Sequence, residues 1–185
     1  MPFAKLDRDM IVDEAIALLR EDGLDAVTLR QVARRLKVSP SSLYWHVADK
    51  EMLYSLMSSS IFRTCLDAVP PAQDWARWLH DFGLALWSAQ TSIPDALRLI
   101  NGARSHSGLM NESLERILGV LQKAGMPAEE ALVAQRAVQA LVTGWTTLRS
   151  VRPGAAPSDR ESFVAALETL IEGWRIRLNP ESAPA

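Results

Sequence analysis

The chain has 185 residues, 48% of them hydrophobic, which is material for one large or two small well-buried cores. Lys and Arg number 20 against 22 Asp and Glu, so a formal net charge of −2 points by itself to no nucleic-acid partner. The one cysteine, Cys65, excludes an internal disulfide framework; no stretch approaches the roughly 18 uninterrupted apolar residues of a membrane span, and the N-terminus has no apolar signal-peptide core. A cytoplasmic protein with no membrane partner is expected.

Helical periodicity recurs along the chain, and β-branched alternation between turn residues is nowhere long enough to argue a sheet. An all-α fold follows. The first helix opens near Asp7, turns Ile11, Ala15, Ile16, Leu18 and Leu19 inward and stops at Gly23, a residue suited to a C-cap. Thr28 followed three residues later by Gln31 is a capping-box pattern, and Leu29, Val32, Ala33 and Leu36 give the second, short helix its apolar face. Ser39 is an N-cap and Pro40 a first helical residue, so a third helix starts about three residues after the second ends. Two short helices so tightly joined predict a helix-turn-helix. Asp49 caps a fourth helix that carries Met52, Leu53, Leu56, Met57, Ile61 and Leu66 until Pro70-Pro71 ends it. Further helices are predicted at about 74–90, 94–104, 108–124, 128–150 and 159–178, with a loose loop over 151–158 and a frayed tail from 179.

Charge is distributed unevenly. From Ala26 to Ala48 the basic residues Arg30, Arg34, Arg35 and Lys37 are interrupted by no acid, a local patch in a near-neutral protein. The third helix pairs hydroxyls on its first turn, Ser41 and Ser42, with the rings of Tyr44, Trp45 and His46 on its last, leaving Leu43 and Val47 as anchors. Such a surface suits the major groove, whose base edges display a sequence-specific pattern of donors and acceptors.

The run from Thr28 through Thr28-Leu29-Arg30-Gln31-Val32 and Ser39-Pro40-Ser41-Ser42-Leu43-Tyr44-Trp45-His46-Val47 to Asp49-Lys50 resembles the DNA-binding domain of the TetR family of transcriptional regulators, over about residues 8–57. The resemblance implies a DNA-binding domain over 1–48, a connecting helix over 49–69 and an effector-binding and dimerisation domain over 70–185. It also implies roles: Arg30 as a base-reading arginine, Pro40, Ser41 and Ser42 facing bases, Tyr44, Trp45 and His46 on the backbone or groove floor, and Thr28 and Lys50 on phosphates. Pro40 replaces a base-reading glutamine of the branch it most resembles, so a different operator sequence is expected.

One such reader covers few base pairs, so a homodimer on a palindromic double-stranded operator is expected. Two stripes offer seams for it: Ala137, Ala140, Leu141, Gly144 and Leu148, and Phe163, Leu167, Leu170, Ile171, Trp174 and Leu178. The family implies a ligand cavity between reader and seam. Candidate lining residues are Trp78, His80, Phe82, Trp87, Asn101, Arg104, Gln135, Gln139 and Trp145, suiting a small, mostly apolar effector. No metal or cofactor is expected, because His46, His80 and His106 are too scattered for a metal cluster. No catalytic motif is present, and an enzyme is not expected. The remaining alternative is a helical interaction module with a degenerate helix-turn-helix, which has no reason to keep Arg30 and Lys50.

Overall fold

The computed structural model describes residues 6–102, 107–151 and 159–179. Within them lie nine α-helices, one 3-10 turn and no strand: α1 Arg8–Asp22, η1 Leu24–Ala26, α2 Leu29–Arg35, α3 Pro40–Tyr44, α4 Lys50–Asp67, α5 Trp75–Ser92, α6 Ala96–Gly102, α7 Ser107–Lys123, α8 Ala128–Val151 and α9 Asp159–Leu178. The all-α expectation holds, and the helix order is the one the periodicity gave. Among the described residues no helix is long and apolar enough to cross a membrane.

The chain divides into two compact units, Met1–Arg63 with Thr91–Met110, and Thr64–Gln90 with Asn111–Ala185. In the first unit, side-chain caps start four helices in succession. Asp7 accepts from Met10 N–H, Thr28 from Gln31, Ser39 from Ser42 and Asp49 from Met52, each satisfying an amide that the helix itself leaves unpaired. Ile11, Ala15 and Leu19 of α1 are fully buried with Val32, Ala33, Leu43, Val47, Leu53 and Met57. This core holds α2 and α3, which are too short to persist alone.

A helix from the middle of the chain completes that unit. Gly23 ends α1 at φ 78° and ψ 176°, a backbone region reserved for glycine, which is a sharper exit than a left-handed cap. The exit directs Leu24 N–H at the Asp95 carboxylate, 3.0 Å away, and a Cβ on Gly23 would lie 3.2 Å from the same oxygen. Asp95 itself sits at φ 55°, and Arg98 on α6 ties it to Asp25 with a 2.7 Å contact. Leu99 and Ala96 bury the apolar side of α6.

In the second unit α5 is central, with Trp75, Trp78, Leu79, Phe82, Leu86 and Trp87 buried. It packs on α9 at Gly83, where an added Cβ would come within 2.7 Å of the Leu167 side chain and 3.3 Å of Val138 on α8. The Trp87 ring stacks on Phe163 at 4.4 Å, and Trp145 meets Phe163 edge-on at 6.4 Å. The stripe on α9 that sequence offered as a dimer seam is thus largely spent inside the chain: Phe163, Leu167 and Ile171 are buried, Phe163 against Trp87 and Trp145 and Leu167 beside Gly83, and the Trp174 indole donates to Glu130 at 3.0 Å. Only the α8 stripe faces outward, with Ala140 and Gly144 exposed, Leu148 67% exposed and Ala137 and Leu141 half-buried.

Because Leu167 and Val138 leave no room beside Gly83, Gly83→Ala is expected to push α9 from α5 and destabilise the protein by about 1–3 kcal/mol in urea denaturation. An unchanged midpoint would show that the two helices are not in close approach there.

Candidate nucleic-acid interface

Every residue that the sequence assigned to DNA lies in the first unit, on α2 and its N-cap, on α3 and the turn that follows it, and at the start of α4. Thr28 is the N-cap of α2, and its Oγ1 accepts from Gln31 N–H at 3.2 Å, which leaves its hydroxyl proton for an outside acceptor. Arg30, one residue into the helix, is exposed. The Ser39 hydroxyl joins Ser41 at 2.8 Å and Ser42 at 2.7 Å, so the exposed first turn of α3 is a small hydroxyl network beside exposed Pro40.

The end of α3 carries an unusual surface. Tyr44 is 57% exposed and Trp45 89% exposed, while their neighbours Leu43 and Val47 are fully buried. Such large aromatic area left in water is costly in a free protein, about 25 cal/mol per Å² of apolar surface, and a ring so bare contributes little to the core. His46 is half-buried, and its carbonyl accepts from the Arg8 guanidinium at 3.3 Å, so α1 holds the last turn of α3 in place. Lys50 opens α4 with its ammonium 5.2 Å from the centre of the Tyr54 ring, which steadies the side chain while leaving it exposed.

The basic patch is smaller than the sequence suggests. Arg35 turns back to α1, pairing with Glu14 and, at 2.6 Å, with Glu21. The Arg35 guanidinium in turn holds the Glu21 carboxyl below the usual carboxylate range. Arg35 is therefore a clamp between α1 and α2, and the exposed basic residues of the segment are Arg30, Arg34 and Lys37. The clamp was invisible in the local charge count because its acids lie one helix away. Arg8 was missed for the same reason, its partner being 38 residues distant.

The residues assigned to an effector are placed less uniformly. Phe82 is fully buried and stacks on Trp78 at 5.2 Å; with Trp87 and Trp145 around Phe163, these rings are packed against protein. His80 is 25% exposed, with Nδ1 3.3 Å from Asp81 and Nε2 4.0 Å from Glu168. Gln135 donates to Gln139 at 2.8 Å, one turn along α8; nearby, Gln90 meets Thr143 at 3.3 Å and accepts from Thr146 at 2.6 Å. Gln135 with Gln139, and Gln90 with Thr143 and Thr146, thus form two bonded polar groups on α5 and α8. Arg104, His106 and the side chain of Asn101 lie outside the described residues. No group of three or more His, Cys, Asp and Glu that could hold a metal ion occurs among the described residues.

A small core holding a short, outward-facing aromatic and hydroxyl helix, joined to a second helical unit, defines a helix-turn-helix regulator. The family model described as "Bacterial regulatory proteins, tetR family" matches residues 11–57. The class E tetracycline repressor of Escherichia coli is 31% identical over 143 residues, covering 76% of this chain and 67% of that one, and the class D repressor is 27% identical over 95% and 92%. A TetR variant from Acinetobacter baumannii AYE, solved in complex with minocycline, is 29% identical with a TM-score of 0.75 over 94% of this chain and 98% of that one. The structure of BioQ with its double-stranded DNA operator is 28% identical, with a TM-score of 0.67 over 91% and 98%. The chain belongs to the TetR family of bacterial regulatory proteins, and is a ligand-responsive, DNA-binding transcriptional regulator of the repressor kind.

The turn between α2 and α3 makes a test of local strain. Val38 N–H bonds Ala33 C=O and Lys37 N–H bonds Arg34 C=O, a helix-ending loop that puts Lys37 at φ 57°, where glycine is preferred. Left-handed backbone costs an ordinary residue about 1–2 kcal/mol, and glycine's extra freedom when unfolded takes back about 0.5–1. Lys37→Gly is therefore expected to stabilise the protein by about 0.5–1 kcal/mol in urea denaturation; a loss of stability would contradict the strain.

Proposed function

We propose that this regulator binds a palindromic double-stranded operator as a homodimer, laying α3 in the major groove, and leaves it when a small, mostly apolar effector binds. In this reading residues 1–48 read DNA, 49–69 connect, and 70–185 hold the effector and the dimer seam. The observation that carries it is Trp45, 89% exposed beside Tyr44 at 57%, on a helix whose other face is anchored by fully buried Leu43 and Val47. A groove would cover those rings; nothing among the described residues does. The operator of the BioQ relative and the minocycline of the Acinetobacter relative are consistent with DNA and a small molecule as the two ligands, each being a ligand of that relative.

Roles divide by chemistry. Arg30 reads a base edge, Pro40, Ser41 and Ser42 meet bases at the first turn, Tyr44, Trp45 and His46 dock the helix, and Thr28 and Lys50 hold phosphates. Pro40 brings no side-chain donor, which shifts sequence discrimination onto Arg30 and the two serines. A gel shift with the DNA flanking its own gene, repeated with a panel of small molecules, tests the reading as a whole; absence of any shift at low salt would overturn it.

Arg30→Ala is expected to cost about 1–3 kcal/mol of binding and to relax preference at one base pair, which competition among single-base variants of the bound fragment reads directly. Lys50→Ala should weaken all sequences alike and flatten the salt dependence by about one unit of slope; a slope unchanged in a salt titration would remove Lys50 from the phosphate contacts.

The dimer seam in this reading is the outward stripe of α8, Val133, Ala137, Ala140, Gly144 and Leu148, together with Gly173 and Ile176 of α9. Val133 is 53% and Ile176 38% exposed, and a Cβ added at Gly144 or Gly173 would meet nothing within 4 Å. Gly144→Arg should thus leave the chain folded yet monomeric in sedimentation. A dimer that survives it would place the seam elsewhere.

A further inference from the structure

The second unit contains a groove that, among the described residues assigned to an effector, Trp78 alone lines. It lies between the end of α4, the turn after it and α7, with a volume of about 410 Å³, within the range of small-molecule sites. Leu66, Val69, Trp78, Ile117 and Val120 make an apolar floor. Its rim is polar and of one sign: Gln73, Arg116 and Lys123 line it, and among the described residues no Asp or Glu does.

The two cations are held differently. Arg116 is braced by Asp67 at 2.6 Å, both side chains being about half exposed, which fixes the guanidinium at the rim while leaving donors over. Lys123 is exposed at the last turn of α7. A helix C-terminus ordinarily repels anions through its unpaired carbonyls. Here Met126 N–H takes Leu121 C=O at 2.9 Å and Gly125 N–H takes Gln122 C=O at 3.0 Å, so two of those carbonyls are occupied and the positive charge of Lys123 dominates the rim.

From an apolar floor beneath a rim with two cations and an amide, we propose that this groove binds an amphiphilic carboxylic acid, its apolar body on Trp78 and Ile117 and its carboxylate between Arg116 and Lys123. The inference deepens the effector reading, on which it rests only for the consequence that occupancy alters DNA binding. A neutral molecule of the same shape would leave Lys123 and the remaining donors of Arg116 to water, whereas the acid offers them a charged acceptor.

Calorimetric titration of the full chain with naphthoate and with the uncharged naphthamide tests it. Naphthoate is expected to bind about tenfold more tightly than the amide, and Lys123→Gln to weaken naphthoate about three- to fivefold while leaving the amide unchanged, as partly exposed ion pairs allow. Val120→Trp, which fills the groove from its half-buried wall, should abolish binding of both. Equal affinity for acid and amide, or naphthoate binding unaffected by both substitutions, would overturn the proposal, as would no binding to a chain whose circular dichroism shows it folded. Binding with this pattern that fails to release operator DNA supports the groove and counts against the effector reading.

Discussion

Burial of Leu43 and Val47 is the contact on which the exposed face of α3, the proposed DNA-reading surface, depends. Helix α3 has five residues, far below the length at which a helix is stable in water, so its conformation is supplied from outside. The Ser39 cap and Pro40 set its start, Arg8 holds its end through the His46 carbonyl, and the two buried anchors fix its rotation. Rotation decides what is presented: with Leu43 and Val47 inward, Pro40, Ser41, Tyr44 and Trp45 face water. Tyr44 and Trp45 pay for that placement with exposed aromatic area, and the core of α1, α2 and α4 makes the arrangement stable.

The same unit shows how strain and charge are managed around a small core. Among its described residues three backbone positions lie at positive φ, Gly23, Lys37 and Asp95, and each sits where a helix must begin or end abruptly. At Asp95 the strain is matched by a hydrogen bond from Leu24 and an ion pair with Arg98, which fasten α6 beside the exit of α1. Arg35 performs the corresponding service between α1 and α2, at the expense of the basic surface.

In the second unit, close packing assigns the apolar residues. Gly83 lets α5 approach Leu167 and Val138, and Phe163 fills the space between Trp87 and Trp145. Once those contacts are made, little of α9 remains for a partner, while α8 keeps an outward stripe of small and apolar residues. Of the rings that sequence grouped as a possible ligand lining, Trp78 stacks on Phe82 and Trp87 and Trp145 meet Phe163, while Gln135 bonds Gln139 and Gln90 bonds Thr143. The groove that Trp78 helps to line gathers residues from α4, α5 and α7 that lie up to 57 positions apart, Leu66 and Lys123 among them.

What could be read from sequence was whatever is decided over three or four residues. Thr28-x-x-Gln31, Ser39-Pro40 and Asp49 specify helix starts through contacts with amides two or three positions on, and Leu43 and Val47 bracket the rings of α3 by helical spacing alone, so the reader and its family were legible before any tertiary contact was known. Helix order in the second unit was legible for the same reason. The fates of individual apolar and charged side chains were not: Arg35 looked like surface charge until α1 brought Glu14 and Glu21 to it, and the stripe of Phe163 and Leu167 looked like a seam until α5 covered it. An apolar face specifies that it must be buried, not by what, because the hydrophobic effect has no direction; only the tertiary structure chose the partner.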